Sequence, residues 1–184
     1  MFKSLRNKSS SLGLDISDDS IKYIELTKTK NGVIVNRCGE KKLPTGIIVK
    51  GKIRDHKWLE QILVLLKKEQ KIKSAHISLP YELFDKDEQK LGIDIGDILE
   101  NTMEEYLSVF KNSLIDIDSV EFEAKAVTQS VIKNNDKDTY LVVDFGKIRT
   151  GIFIVSDGEL MLTSVLDFGG TKLTHLIKES LNTI

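Results

Sequence analysis

The chain has 184 residues, and its 27 basic and 28 acidic side chains leave a formal net charge of −1, so no electrostatic footprint for nucleic acid is present. At 40% apolar and 30% charged, it fits an ordinary globular chain with one good core, or one domain and part of another. The single cysteine, Cys38, excludes an intramolecular disulfide, and no second Cys or His is placed to make a metal cluster with it; it reads as an incidental thiol of a reducing compartment.

Residues 1–11 open with Met1-Phe-Lys-Ser-Leu-Arg-Asn-Lys8, a basic arm with no apolar signal core behind it; weak contact with a membrane surface is the alternative. No apolar run approaches the roughly 20 residues that span a bilayer. Leu12–Ile16, Ile21–Leu26 and Val33–Arg37 read as three strands joined by tight turns, an antiparallel meander. A connector punctuated by Pro44, Gly46 and Gly51 leads to Asp55, a good N-cap. Trp58, Leu59, Ile62, Leu63 and Leu66 then recur at helical spacing, and the helix should end near Lys71 with lysines in its last turn.

Ser74–Leu79 reads as a strand stopped by Pro80, and His76 on it as a packed or surface histidine. Leu91-Gly-Ile-Asp-Ile-Gly96 resembles an Asp-x-Gly turn but enters a helix, so it reads as a coincidence. Asp97 and Glu100 have capping-box spacing, and Ile98, Leu99, Met103, Tyr106, Leu107 and Phe110 form an apolar stripe behind them. Leu114–Asp118 reads as a short strand. Asp118 with Glu121 repeats the box, before a helix that turns Phe122, Ala126, Val127 and Val131 inward.

The polar run at 134–139 reads as a linker between a first lobe, 12–133, and the start of a second, 140–184. The second begins with a strand up to Asp144-Phe-Gly146, a turn, a strand to Val155, the hairpin signal Asp157-Gly158 and a return strand. Gly169-Gly170 leads into a helix carrying Leu173, Leu176, Ile177 and Leu181.

Two stretches align without a gap. Leu12-Gly-Leu-Asp-Ile-Ser17 lies over Leu141-Val-Val-Asp-Phe-Gly146, which puts Asp15 on Asp144 and Ser17 on Gly146. A carboxylate at the end of a buried strand, followed by a turn of small residues, suits a metal-phosphate site. The same turn is also common where a meander merely needs to reverse, and the residues leave both readings open.

The order meander, helix, strand, helix, with these paired turns, resembles the sugar-kinase, Hsp70 and actin superfamily, built on a ribonuclease H-like α/β lobe. Within it the chain is similar to the PilM family of type IV pilus assembly proteins, relatives of FtsA. The motifs that carry the resemblance are Leu12–Lys22, Leu43–Asp55, Glu105-Tyr-Leu with Val120–Ala126, and Asp144–Thr150 with Phe168–Thr174. The inserted subdomain of that family and its glycine-rich adenosine motif are not found, so the expectation is one complete lobe and a partial second.

The resemblance implies ATP with Mg2+ as the cofactor, with Asp15 and Asp144 toward the metal. It sets Ser17, Ser20, Lys22, Gly146, Lys147, Thr150, Gly169 and Gly170 around the phosphates. Asp18 and Asp19 stand where small hydroxyl residues are usual, and a carboxylate about 5 Å from a phosphate charge costs roughly 3 kcal/mol at an effective dielectric near 20. Lys22, Lys147 and Arg149 would offset part of this. No water-activating residue can be named, so hydrolysis is not expected.

The function implied is a cytoplasmic scaffold, peripheral at the inner membrane, that binds the N-terminal tail of a PilN-like membrane protein. Self-association through the open second lobe is a further expectation. The alternatives are a minimal actin-like ATPase completed by a second chain, and a fragment of a longer reading frame.

Overall fold

The computed structural model describes residues 10–80, 95–133 and 135–181. The chain packs as two compact units that meet in sequence at Glu121 and Phe122. In the first, β1 (Ser10–Ile16), β2 (Ser20–Thr29) and β3 (Gly32–Lys42) form the expected meander, each strand longer than its apolar run. A small hairpin, β4 (Ile48–Val49) and β5 (Lys52–Ile53), precedes helix α1 (His56–Gln70). Then come β6 (Ser74–Leu79), α2 (Ile95–Asn112) and β7 (Asp116–Phe122). The sheet order is β3-β2-β1-β6-β7, with β1 antiparallel to β2 and parallel to β6.

β1 is central, and its alternation follows from that position. Leu12, Leu14 and Ile16 are buried, while Gly13 and Asp15 on the other face are half-buried. Leu59, Ile62, Leu63 and Leu66 of α1 complete this core together with Ile77 and Leu79 of β6. The Asp55 carboxylate accepts from the Trp58 N–H at 3.0 Å, as an N-cap should. At the other end Lys71 takes a left-handed φ of 51° and Ile72 N–H returns to the Lys67 carbonyl, which stops the helix with Lys67 and Lys68 in its last turn. Trp58 departs from its stripe and is 54% exposed.

Three local expectations are corrected. Asp97 falls within α2, which is already helical from Ile95, rather than at the position before it. The Leu91–Gly96 look-alike turn falls largely outside the described residues. The strand expected at Leu114–Asp118 begins later: Leu114 is left-handed (φ 57°), and the Asp116 N–H donates to the Lys73 carbonyl at 3.0 Å, which fixes where pairing starts. Asp118 and Glu121 therefore lie inside β7 rather than in a capping box. The next helix, α3 (Glu123–Val131), has no side-chain cap and buries Ala124 and Thr128, whereas Val131 is exposed.

In the second unit α3 packs on strands β9 (Thr150–Ser156) and β10 (Glu159–Leu166), which with β8 (Thr139–Phe145) form a sheet ordered β10-β9-β8. The polar run 135–138 connects α3 to β8 within this unit. Asp157 and Gly158 both have positive φ (53° and 77°), the geometry of a type I′ hairpin. Phe153 and Val155 are the buried centre of the unit. The last helix, α4 (Gly170–Ser180), buries none of its residues; Leu173, Leu176, Ile177 and the following Leu181 are all exposed. Among the described residues no helix is long and apolar enough to cross a membrane.

Candidate phosphate-binding turns

In the first unit the site is the turn between β1 and β2. Asp15 faces Lys22 across the strand pair, with Nζ 3.5 Å from Oδ2. Both side chains are more than a third exposed, so solvent screens the pair. Ser17 closes the turn three times over. Its N–H donates to the Ser20 carbonyl at 2.9 Å, its hydroxyl donates to the same carbonyl at 3.0 Å, and that hydroxyl oxygen accepts the Ser20 N–H at 3.2 Å. Ser20 itself is buried at the start of β2. A serine in place of glycine here thus has a structural task.

Asp18 and Asp19 are held by local partners. The Asp18 carboxylate accepts the N–H groups of Lys50 at 2.7 Å and Gly51 at 2.9 Å. Those two residues form the tip of the β4–β5 hairpin, both with positive φ. The buried Tyr106 hydroxyl of α2 donates to the Gly51 carbonyl at 2.9 Å, so the tip is clamped from two sides. Asp19 pairs with Lys42 at 3.2 Å. The charge of both carboxylates is partly answered where they stand, which reduces the repulsion expected from the sequence. Tyr106 could be read only as a member of an apolar stripe; its hydroxyl partner lies 55 residues away.

The second unit carries the matching turn between β8 and β9. Asp144 is half-buried on β8 and faces Gly151, where the first turn has Lys22. The Gly146 N–H donates to the Arg149 carbonyl at 2.9 Å, the same bond that closes the Ser17–Ser20 turn. A constant offset carries Asp15, Ser17, Ser20 and Lys22 onto Asp144, Gly146, Arg149 and Gly151. The strand register follows it: Asp15 opposite Lys22, Asp144 opposite Gly151. The duplication is thus present in hydrogen bonding as well as in residues.

This second turn is fastened to the start of α4. The N–H groups of Gly170 and Thr171 donate to the carbonyls of Gly146 and Lys147, at 3.0 and 2.9 Å, and the buried Thr150 hydroxyl donates to the Phe168 carbonyl at 2.6 Å. Two of the helix's first N–H groups, ordinarily the donors for an anion, are thereby used by the turn. A Cβ on Gly169 would meet Ile148 C, Arg149 N and Gly146 O at 2.5, 2.7 and 2.8 Å, and one on Gly146 would meet the Arg149 carbonyl oxygen at 2.7 Å. Thr150, Gly146 and Gly169 are thus explained by backbone packing. The Arg149 side chain is largely buried, its Nε 3.7 Å from Asp167. Among the described residues no group of three or more His, Cys, Asp or Glu could hold a metal ion; each turn supplies one carboxylate, Asp15 or Asp144, and Mg2+ in nucleotide sites commonly takes one or two carboxylates beside water and phosphate.

No protein-family model matches the sequence, and no functionally curated protein matches it. Solved structures do. The ethanolamine utilization protein EutJ from Carboxydothermus hydrogenoformans superposes with a TM-score of 0.68 over 95% of this chain and 57% of its own, at 18% identity. The PilM-PilN type IV pilus biogenesis complex gives 0.68 over 96% and 67%, at 14% identity. MreB5 of Spiroplasma citri bound to ADP gives 0.61 over 94% and 57%, at 16% identity. The fold is actin-like. This actin-like chain spans between 57% and 67% of the length of these three structures.

Proposed function

We propose that the chain is a scaffold of a type IV pilus, or related secretion, assembly machine, which holds the N-terminal tail of an inner-membrane PilN-like protein at the cytoplasmic face. What carries this reading is the likeness to the PilM-PilN complex over 96% of the chain. The order of motifs Leu12–Lys22, Leu43–Asp55 and Asp144–Thr150 supports it. The use of turn and helix N–H groups to brace the chain's own backbone favours a binding module over an enzyme. The test is binding of a labelled tail peptide, taken from a neighbouring single-span pilus protein, by fluorescence anisotropy. A Kd on the order of 10 μM or tighter is expected; no binding at ten times that concentration refutes the reading.

A second reading is an actin-like ATP-binding protein completed by a dimer or another chain, in which Asp15 and Asp144 are the residues toward Mg2+. The observation in its favour is the shared closing hydrogen bond and register of the two turns. The MreB5 structures, bound to ADP and to AMPPNP, support it by fold. Ser17, Ser20, Lys22, Gly146, Lys147 and Gly170 would then line the phosphates, with Thr150 and Gly169 holding the second turn in shape. Binding of a fluorescent ATP analogue should require Mg2+ and weaken in both Asp15→Ala and Asp144→Ala. Binding indifferent to both substitutions removes this reading.

A further inference from the structure

One end of the first unit's sheet joins exposed lysines to bare apolar side chains. We propose that this end, remote from the β1–β2 turn, is a docking surface for a bilayer with anionic headgroups, which the chain touches directly. The proposal does not depend on the pilus reading, because no partner peptide enters its test.

Three connections meet at that end. β1 and β6 run parallel, with Gly13 opposite His76. β7 follows the same direction: the Asp116 N–H donates to the Lys73 carbonyl, and the Ser119 hydroxyl lies 2.8 Å from His76 Nδ1, one sequence offset serving both contacts. The β2–β3 tip, the α1–β6 loop and the α2–β7 loop therefore lie together where β1 starts. β1 begins at Ser10, opposite Thr27, so beyond that pair the β2–β3 tip stands clear as two strands among the described residues. Val33, Ile34 and Val35, at the tip and its base, are 64, 51 and 53% exposed. At the other corner of the sheet Leu114 is 73% exposed. Leu114 has a left-handed φ of 57°, its N–H donating to the Lys111 carbonyl and the Ile115 N–H to that of Phe110. This is a helix stop of the kind that ordinarily takes Gly or Asn. A leucine held there in solvent has no packing reason in the fold.

Charge follows the same layout. Lys28 and Lys30 stand at the tip, Lys71 and Lys73 in the middle loop, and all four are exposed. Lys67 donates to the Leu114 carbonyl, which brings the last turn of α1 to the second corner. The acids nearby are Glu69, paired with Lys41 at 3.1 Å, and Asp116 at the start of β7. From Leu26 to Gly39 the sequence has no acid at all. β3 and β7 are the outer strands of five, about 19 Å apart at the usual strand spacing, so apolar corners with lysines between them form a row rather than a groove. A row of this shape matches a plane. Lysines meet lipid phosphates while the apolar corners enter the boundary between headgroups and acyl chains. A nucleic acid would use the lysines and leave the valines and the leucine without a role.

The test is co-sedimentation of the full chain with lipid vesicles. It should bind vesicles of about 30% phosphatidylglycerol in phosphatidylcholine, not pure phosphatidylcholine, and lose about tenfold or more in affinity at roughly 0.5 M salt. Lys28→Glu with Lys30→Glu should weaken binding about tenfold or more. The same charge change at Lys137 and Lys172, exposed in the second unit, should leave it unchanged. Leu114→Asn should also weaken binding several-fold while keeping or raising the thermal midpoint, since Asn suits the left-handed stop. Both losses are required. A general polyanion surface would answer to the lysines but not to Leu114→Asn, and that result overturns the proposal. So does binding equal on neutral vesicles, no binding to either, or binding that survives both substitutions and vanishes only when residues 1–9 are removed.

Discussion

Two adjacent glycines should respond to the same substitution in opposite ways. In Gly169→Ala the new methyl carbon would sit 2.5 Å from Ile148 C and 2.7 Å from Arg149 N, both backbone atoms that cannot rotate aside. Relief requires the turn or the helix start to retreat by about half an ångström, which loosens the Gly170–Gly146 and Thr171–Lys147 hydrogen bonds. Overpacking of this kind costs about 1–3 kcal/mol, and two weakened neutral hydrogen bonds add roughly 1 kcal/mol each at most. A loss of about 2–4 kcal/mol is therefore expected for the second unit. In Gly170→Ala the nearest atoms lie at 3.9 Å, an ordinary contact, so the change should be neutral or gain a few tenths of a kcal/mol from helix propensity. Urea unfolding followed by amide exchange in β8 and β9 measures both, with β1 and β2 as the internal control. Gly169→Ala within about 0.5 kcal/mol of the parent, or indistinguishable from Gly170→Ala, would refute the packing argument.

Asp18→Ala removes the acceptor of two backbone N–H groups and should destabilise the first unit by about 2–4 kcal/mol in thermal denaturation. Tyr106→Phe should cost about 1 kcal/mol and be non-additive with Asp18→Ala, since both hold one hairpin tip; additivity in a double-mutant cycle would show the clamp to be two separate contacts. The Ser10 hydroxyl, and after it Arg37, hold the Glu25 carboxyl below the usual carboxylate range. A lowered folded value means a stabilisation that is present above the unfolded carboxyl value and lost as pH falls through the folded one. The thermal midpoint of the parent should therefore drop more steeply than that of Glu25→Gln between about pH 5 and 3, and parallel curves would contradict this. The Asp138 backbone N–H, and after it the Tyr140 hydroxyl, lower the Asp136 carboxyl, so Tyr140→Phe should move its NMR titration upward.

How much of this was legible in the sequence depended on how local the cause was. The meander, the Asp55 cap, the Lys71 stop and the Asp157-Gly158 hairpin were readable because each is decided within a few residues. The gapless overlay of Asp15 on Asp144 survived as a shared register and a shared closing bond. The two capping boxes failed because Asp-x-x-Glu spacing is common among charged residues, and the pairing of Asp116 with Lys73, far along the chain, decided where β7 began. In the candidate site the sequence located both turns but not the uses of their atoms. That Asp18 answers the Lys50–Gly51 tip, or that Gly169 stands against Ile148 and Arg149, depends on contacts between distant segments that no spacing rule encodes.

The bonds between the Gly146–Arg149 turn and α4 also give the second unit a mechanical property. Because the carbonyls of Gly146 and Lys147 grip the first two N–H groups of the helix, the turn is its fulcrum rather than a neighbour. The 11 residues of α4 extend about 16 Å from that point, so a tilt of only 10° or so at the turn swings the far end by roughly 3 Å. A displacement of the turn would be enlarged in that proportion at Ile177 and Leu181.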